Sequence, residues 1–111
     1  MKKSFVTTLL CVLFSTAGGA AEKYSQAHQS VLNQFTNGSE KTAKDALWTS
    51  KTIFKVGVIP NGSNRDGYAQ YVCEVMYENG FKGKGIWVQV IDVVALTRTG
   101  KWNKLGEARC L

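Results

Sequence analysis

Few side chains in this sequence are equipped for chemistry. His28 is the only histidine. That removes any histidine-rich metal site and leaves a ring on an otherwise apolar helical face, the setting of a structural histidine. No Gly-x-Ser-x-Gly, Cys-x-x-Cys, His-Glu-x-x-His or Gly-x-x-x-x-Gly-Lys-Ser/Thr run occurs. The spacings that activate a serine, a thiol, a zinc-bound water or a nucleotide phosphate are therefore missing. Glycoside cleavage needs only two carboxylates. Glu74 and Glu78 stand one helical turn apart, but with Gln70 they form a polar stripe that reads as a solvated face. Asp92 interrupts the most apolar run of the chain. A carboxylate there must be paired, hydrogen-bonded or placed at a strand end. It reads as a terminus that caps a turn at Val93; the functional alternative puts it beside Arg65 or Lys55. No cofactor or metal is expected, and the chain does not read as an enzyme.

Two groups of residues suit binding. Pro60-Asn61-Gly62-Ser63-Asn64-Arg65-Asp66-Gly67 is dense in turn formers and reads as a loop. With a helix starting at Tyr68, this loop joins a strand end to a helix N-terminus. Free amides there can hold an anion, and Arg65 can add a bidentate partner. Asn61, Gly62, Asn64, Arg65 and Asp92 are the candidate ligand residues of that arrangement. The second group is a basic strip, Lys82, Lys84, Arg98, Lys101 and Lys104, with Phe81 and Trp102 nearby. Cations beside aromatics also suit nucleic acid, but the charge is mild and no nucleic-acid signature is present. An acidic protein or an anionic surface is the expected contact, and Trp102 reads as core or rim packing.

The elements that must position these residues follow from hydrophobic period. Glu22 to Phe35 reads as an amphipathic helix, with Tyr24, Ala27, His28, Val31, Leu32 and Phe35 on one face and Asn37-Gly38 ending it. Glu40 to Ala46 adds a short helical turn or two. Lys51 to Ile59 reads as a strand with Phe54, Val56 and Val58 inward and Lys55 and Gly57 outward, stopped by Pro60. Tyr68 to Glu78 fits two periods. As a strand it would lead to a hairpin at Asn79-Gly80; as a helix it turns Tyr71, Val72, Val75 and Met76 to the core, with Asp66 capping its start. The helix is favoured, because Phe81-Lys82-Gly83-Lys84-Gly85 would make a poor answering strand. Ile86 to Val94 reads as a strand buried on both faces. Leu96 to Lys101 turns through Thr99-Gly100, and Trp102 to Arg109 returns as an edge strand. Asn37-Gly38-Ser39 and Asn61-Gly62-Ser63 match the glycosylation sequon and mark exposed loops.

The first twenty residues carry an address. Lys2 and Lys3, the apolar run Phe5 to Phe14 and the small residues Ser15 to Ala20 follow the order of a secretory leader, and the run is too short to span a bilayer. Cleavage after Ala20 would take the fourteen basic residues to twelve, against eight acidic ones, a net charge of +4. Cys11 falls inside the leader; Leu10 before it argues against an acylated lipoprotein cysteine. Cys73 and Cys110 remain, and in an oxidising compartment they form one structural disulfide that pins the C-terminus to the core.

The fold class expected is α+β: residues 1–20 a cleaved leader, residues 21–111 one small domain with an N-terminal helix and a short sheet. That sheet contains a strand–helix–strand unit, and one disulfide staples the domain. The expected function is a non-catalytic binding module of the bacterial periplasm or beyond, an accessory to or inhibitor of another envelope or secreted protein. The alternatives are a small-ligand or anion binder or hydrolase built on the 60–67 loop, and a secreted effector.

Overall fold

Ser25 decides where the first helix begins. The computed structural model describes residues 24–111; the predicted leader and Cys11 lie outside the described residues. The Ser25 hydroxyl accepts the His28 N–H at 3.2 Å, and His28 Nδ1 accepts the Ser25 N–H at 3.3 Å. This is a capping box with histidine in the place usually taken by Glu or Gln. Helix α1 therefore runs Gln26–Thr36, later than the predicted start at Glu22, and buries His28, Val31 and Phe35. Asn37 closes it through its N–H to the Asn33 carbonyl.

The helical turns predicted between Glu40 and Ala46 are absent. One turn closes from the Ala43 N–H to the Glu40 carbonyl, and strand β1 (Asp45–Ser50) follows. A two-residue period wins because it sends both Ala46 and Trp48 inward. Trp48 then donates its indole N–H to the His28 carbonyl at 2.9 Å. The chain reverses through Lys51 and Thr52 into β2 (Ile53–Val58), which is the predicted strand trimmed at both ends. Phe54, Val56 and Val58 are fully buried.

Helix α2 spans Asp66–Glu78, as the helical period indicates, and buries Ala69, Val72, Cys73, Val75 and Met76. Gln70, Glu74 and Glu78 face solvent. Two details differ from expectation. Tyr71 turns outward, where its hydroxyl donates to Glu40 Oε2 at 2.6 Å. Asp66 is not the cap: Arg65 occupies that position without a side-chain bond. Asp66 Oδ1 instead accepts the Glu107 N–H at 2.9 Å. At the far end the Phe81 N–H reaches the Met76 carbonyl and the Phe81 ring packs back into the core.

Strand β3 (Trp87–Asp92) stops two residues short of Val94, because Asp92 starts a helix. Its Oδ1 accepts the Ala95 N–H at 2.9 Å, and the predicted turn from Leu96 is helix α3 (Val93–Thr99), closed at Gly100. Strand β4 (Lys104–Arg109) returns antiparallel.

The sheet order is β1-β2-β3-β4. The β1/β2 and β3/β4 pairs are antiparallel, and β2 and β3 run parallel across α2. Helix α1 lies against β1, and α2 against β3 and β4. One contact demands glycine. A Cβ on Gly106 would stand 2.3 Å from the Arg65 carbonyl carbon. Only a bare backbone lets β4 pass under the start of α2. The Cys73–Cys110 disulfide ties the same helix to the chain beyond β4, with the Cα atoms 5.3 Å apart. Closing that 37-residue separation stabilises the fold by about 4 kcal/mol on the chain-entropy account.

Candidate interaction surface

Paired residues of neighbouring strands project to the same side of a sheet. Phe54, Val56, Val88 and Val90, with Ala46, Trp48 and Ala108 beside them, therefore lie on the face that the two long helices cover. The opposite face carries three rows: Leu47, Lys55, Gln89 and Glu107, then Ile53, Trp87 and Arg109 towards one end and Asp45, Gly57 and Ile91 towards the other. These side chains are organised among themselves. The Trp87 indole N–H donates to Glu107 Oε1 at 2.8 Å, and Lys104 Nζ donates to the same oxygen at 2.9 Å. Arg109 stacks over the Trp87 ring at 4.1 Å and Lys104 lies 5.3 Å from it. The hydrogen bond from Lys104, then that from Trp87, holds the Glu107 carboxyl below its ordinary range. Beside this cluster Lys55 Nζ donates to Gln89 Oε1 at 2.5 Å and sits 5.7 Å from the Trp102 ring. Burial, then the charge of Lys104, lowers the Lys55 pKa.

Among the described residues α3 is the one helix over this face, and it covers a corner. Gly57 makes room for it: a Cβ there would lie 3.2 Å from the Val93 side chain. None of the seven α3 residues is fully buried, although Val93, Val94, Ala95 and Leu96 are apolar. Between α3 and the strands lies a cleft of about 230 Å³ walled by Leu47, Lys55, Ile91, Val93, Leu96 and Trp102. Trp102 is 49 % exposed and Leu47 40 %. A second apolar groove of about 300 Å³ runs on the other side of α3, past Ile59, Val94 and Arg98. The corner is apolar, with the Lys55 ammonium and the Asp45 carboxylate in the wall of the first groove and Arg98 in that of the second.

The predicted ligand loop is occupied by its own structure. Asn61 Oδ1 accepts from the Ser63 N–H and hydroxyl, and Asn64 Oδ1 from the Asp66 N–H. Arg65 Nη2 donates to the Ile59 carbonyl at 2.9 Å. Asp92 reaches the same end of the sheet through its pairing with Val58, but its carboxylate is engaged by α3. The Asp66 carboxylate also sits in the first turn of α2, where it already supplies the negative charge that a helix start favours. Two buried polar atoms here, Arg65 Nε and the Tyr68 hydroxyl, have no hydrogen-bond partner among the described residues. Burial, reinforced by Glu40, raises the Tyr68 pKa well above the usual tyrosine value.

The predicted basic strip is divided. Lys82 and Lys84 flank Gly83, which bonds Leu111 beyond the end of β4, while Lys104 pairs with Ile91 near the opposite end of β3. Arg98 and Lys101 lie with Lys104 around α3. A six-residue strand separates the two groups, about 20 Å of chain.

His28 is structural in its contacts. Its Nε2 lies 2.9 Å from the Lys51 carbonyl, its Nδ1 2.7 Å from the Ser25 hydroxyl, and its ring packs against Trp48 and Phe81. Among the described residues no group of three or more His, Cys, Asp or Glu is placed to hold a metal ion, and no helix is long and apolar enough to cross a membrane.

Leu47, Trp87, Glu107 and Arg109 are the surface residues that sequence reasoning left unassigned to a site, and Lys55 entered only as a possible neighbour of Asp92. The alternation Trp87-x-Gln89 against Lys55-x-Gly57 was the available signal, but the apolar density of Ile86 to Val94 reads as burial on both sides. No protein family, curated protein or solved structure matches the chain.

Proposed function

We propose that this chain is an exported, non-catalytic binding module that engages another envelope or secreted protein through the open face of its sheet. One observation carries the reading: one sheet face is sealed by two helices, while the other holds two tryptophans, three cations and an incompletely covered apolar helix. Surfaces that combine a partly exposed apolar centre, aromatic side chains and arginine are the ones proteins use for recognition. Export rests on the order of residues Lys2 to Ala20, and the Cys73–Cys110 bond fits an oxidising compartment. The anion-site alternative is weakened by the engagement of Arg65, Asn61, Asn64 and Asp92 within their own loop and helix.

The test is capture from the organism's own envelope by tagged protein expressed from the complete sequence. Beside it runs a variant carrying Trp102→Ala, Lys55→Ala and Arg109→Ala. The reading requires a stoichiometric protein retained by the parent and lost by the triple variant, with both melting as folded proteins. A partner retained by the triple variant but lost on Arg65→Ala would move the site to the loop.

A further inference from the structure

The pair Asn-Gly occurs three times, at Asn37, Asn61 and Asn79. Asparagine is among the thermolabile side chains. A following glycine, lacking a Cβ, leaves its own nitrogen the clearest approach to the Asn Cγ. Asn37 and Asn61 share the run Asn-Gly-Ser, so the groups that could react are identical at the two positions. A difference between them comes from the fold.

The fold treats the three asparagines differently. Asn79 Nδ2 donates to the Val75 carbonyl at 2.8 Å, and the Gly80 N–H donates to the Tyr77 carbonyl at 3.2 Å. The nitrogen that would leave and the nitrogen that would attack are both held at the end of α2. Asn37 closes α1 through its own N–H, and its Oδ1 accepts one bond, from the Ser39 N–H at 2.9 Å. Asn61 Oδ1 accepts two, from the Ser63 N–H at 3.0 Å and the Ser63 hydroxyl at 2.6 Å. A backbone N–H can only donate, so the amide stands with its oxygen towards Ser63. Residues 61–63 are exposed, and the Gly62 N–H has no hydrogen-bond partner among the described residues.

Two donors on one carbonyl oxygen draw electron density from its carbon and stabilise the negative charge that the oxygen takes when the carbon is attacked. We infer that Asn61 is a site of spontaneous deamidation, made faster than Asn37 by the Ser63 hydroxyl. The Gly62 nitrogen gives its proton to hydroxide and bonds to Asn61 Cγ. The Cγ–Nδ2 bond breaks, and Nδ2 leaves as ammonia with a proton from water. Water then opens the cyclic imide at either carbonyl, leaving aspartate or isoaspartate. Either product puts a carboxylate inside the loop that Arg65 closes on the Ile59 carbonyl, and the isoaspartyl form lengthens the backbone there by a methylene. None of this depends on the open face of the sheet being a binding surface.

The test is peptide mapping by mass spectrometry of the folded full chain held at mildly alkaline pH, beside the same chain reduced and unfolded in guanidinium chloride. In the folded chain Asn61 should convert several-fold faster than Asn37, with Asn79 slowest. In denaturant Asn37 and Asn61 should convert at the same rate. Ser63→Ala, on an exposed loop, should slow Asn61 several-fold in the folded chain and leave Asn37 as it was. Equal rates at Asn37 and Asn61 in the folded chain, a difference that persists in denaturant, or a Ser63→Ala rate equal to the parent's would each overturn the inference. So would an Asn61 that stays intact in the folded chain while the unfolded chain converts.

Discussion

The two faces of the sheet are built from the same strands, often from adjacent residues, yet they reach stability by different means. On the covered face Phe54, Val56, Val58, Val88 and Val90 are fully buried and need no polar partner. On the open face Lys55, Gln89, Trp87 and Glu107 are held by hydrogen bonds, ring–cation contacts and one exposed ion pair. Buried apolar side chains contribute about 1.5–3 kcal/mol each. Exposed ion pairs contribute about 0–1 kcal/mol. The covered face therefore holds the fold, and the open face is free to vary its chemistry at small cost to the whole.

The contrast can be broken at several points. Phe54→Ala should cost about 3–5 kcal/mol, read from the denaturant midpoint. Trp102→Ala, an equally drastic truncation on the other side, should cost under about 1 kcal/mol. Equal losses would abolish the distinction between the faces. The disulfide belongs to the covered side, where Cys73 sits on the inner surface of α2. Replacing both cysteines by serine should cost about 4 kcal/mol in urea unfolding, and mass measurement before and after reduction should show two thiols appearing only on reduction. Gly57→Ala acts on the open face alone. Its methyl meets Val93, so a loss of about 1–3 kcal/mol is expected, with faster amide exchange confined to α3.

The smallest effect is electrostatic. Burial is the larger cause of the lowered Lys55 pKa and Lys104 the lesser. Lys104→Gln should therefore raise the Lys55 pKa part of the way back towards the ordinary value of 10.5, read by NMR titration of its Cε. The sign for stability follows. The native state disfavours the charged form, so the unfolded chain binds more protons, and this group's contribution becomes more favourable as pH rises through the lowered native pKa towards the unfolded value.

Where the residue pattern carried one period cleanly, the fold was legible: Phe54, Val56 and Val58 located β2, and two cysteines left one pairing. Helix α2 fits two periods, and the Gln70, Glu74 and Glu78 stripe with the glycine-rich Phe81 to Gly85 segment after it decided for the helix. Short elements were harder. A six-residue β1 and a seven-residue α3 give too few repeats for periodicity to speak from sequence; burial of Ala46 and Trp48 decides the first and a cap the second. His28 replaces the usual Glu or Gln of the α1 box, and Asp92 converts the end of an apolar run into a helix start. The candidate surface was the least legible part. Its residues come from four strands and a connecting segment, and the register that aligns Leu47, Lys55, Gln89 and Glu107 is a tertiary fact. Lys82, Lys84, Arg98, Lys101 and Lys104 look continuous in sequence because β3 and α3, which separate them in space, are short.

The most direct measurement of the central claim is oxidative footprinting of the protein, free and mixed with solubilised envelope extract, read by mass spectrometry at single side chains. Trp48 should be protected in both states, being buried against His28, and the 83 % exposed Leu111 should react equally in both. Oxidation of Trp102 and Leu47 should fall several-fold in the extract. Unchanged oxidation of Trp102 and Leu47, or protection falling instead on Tyr71 over the outer helices, would contradict the assignment of the open sheet face as the binding surface.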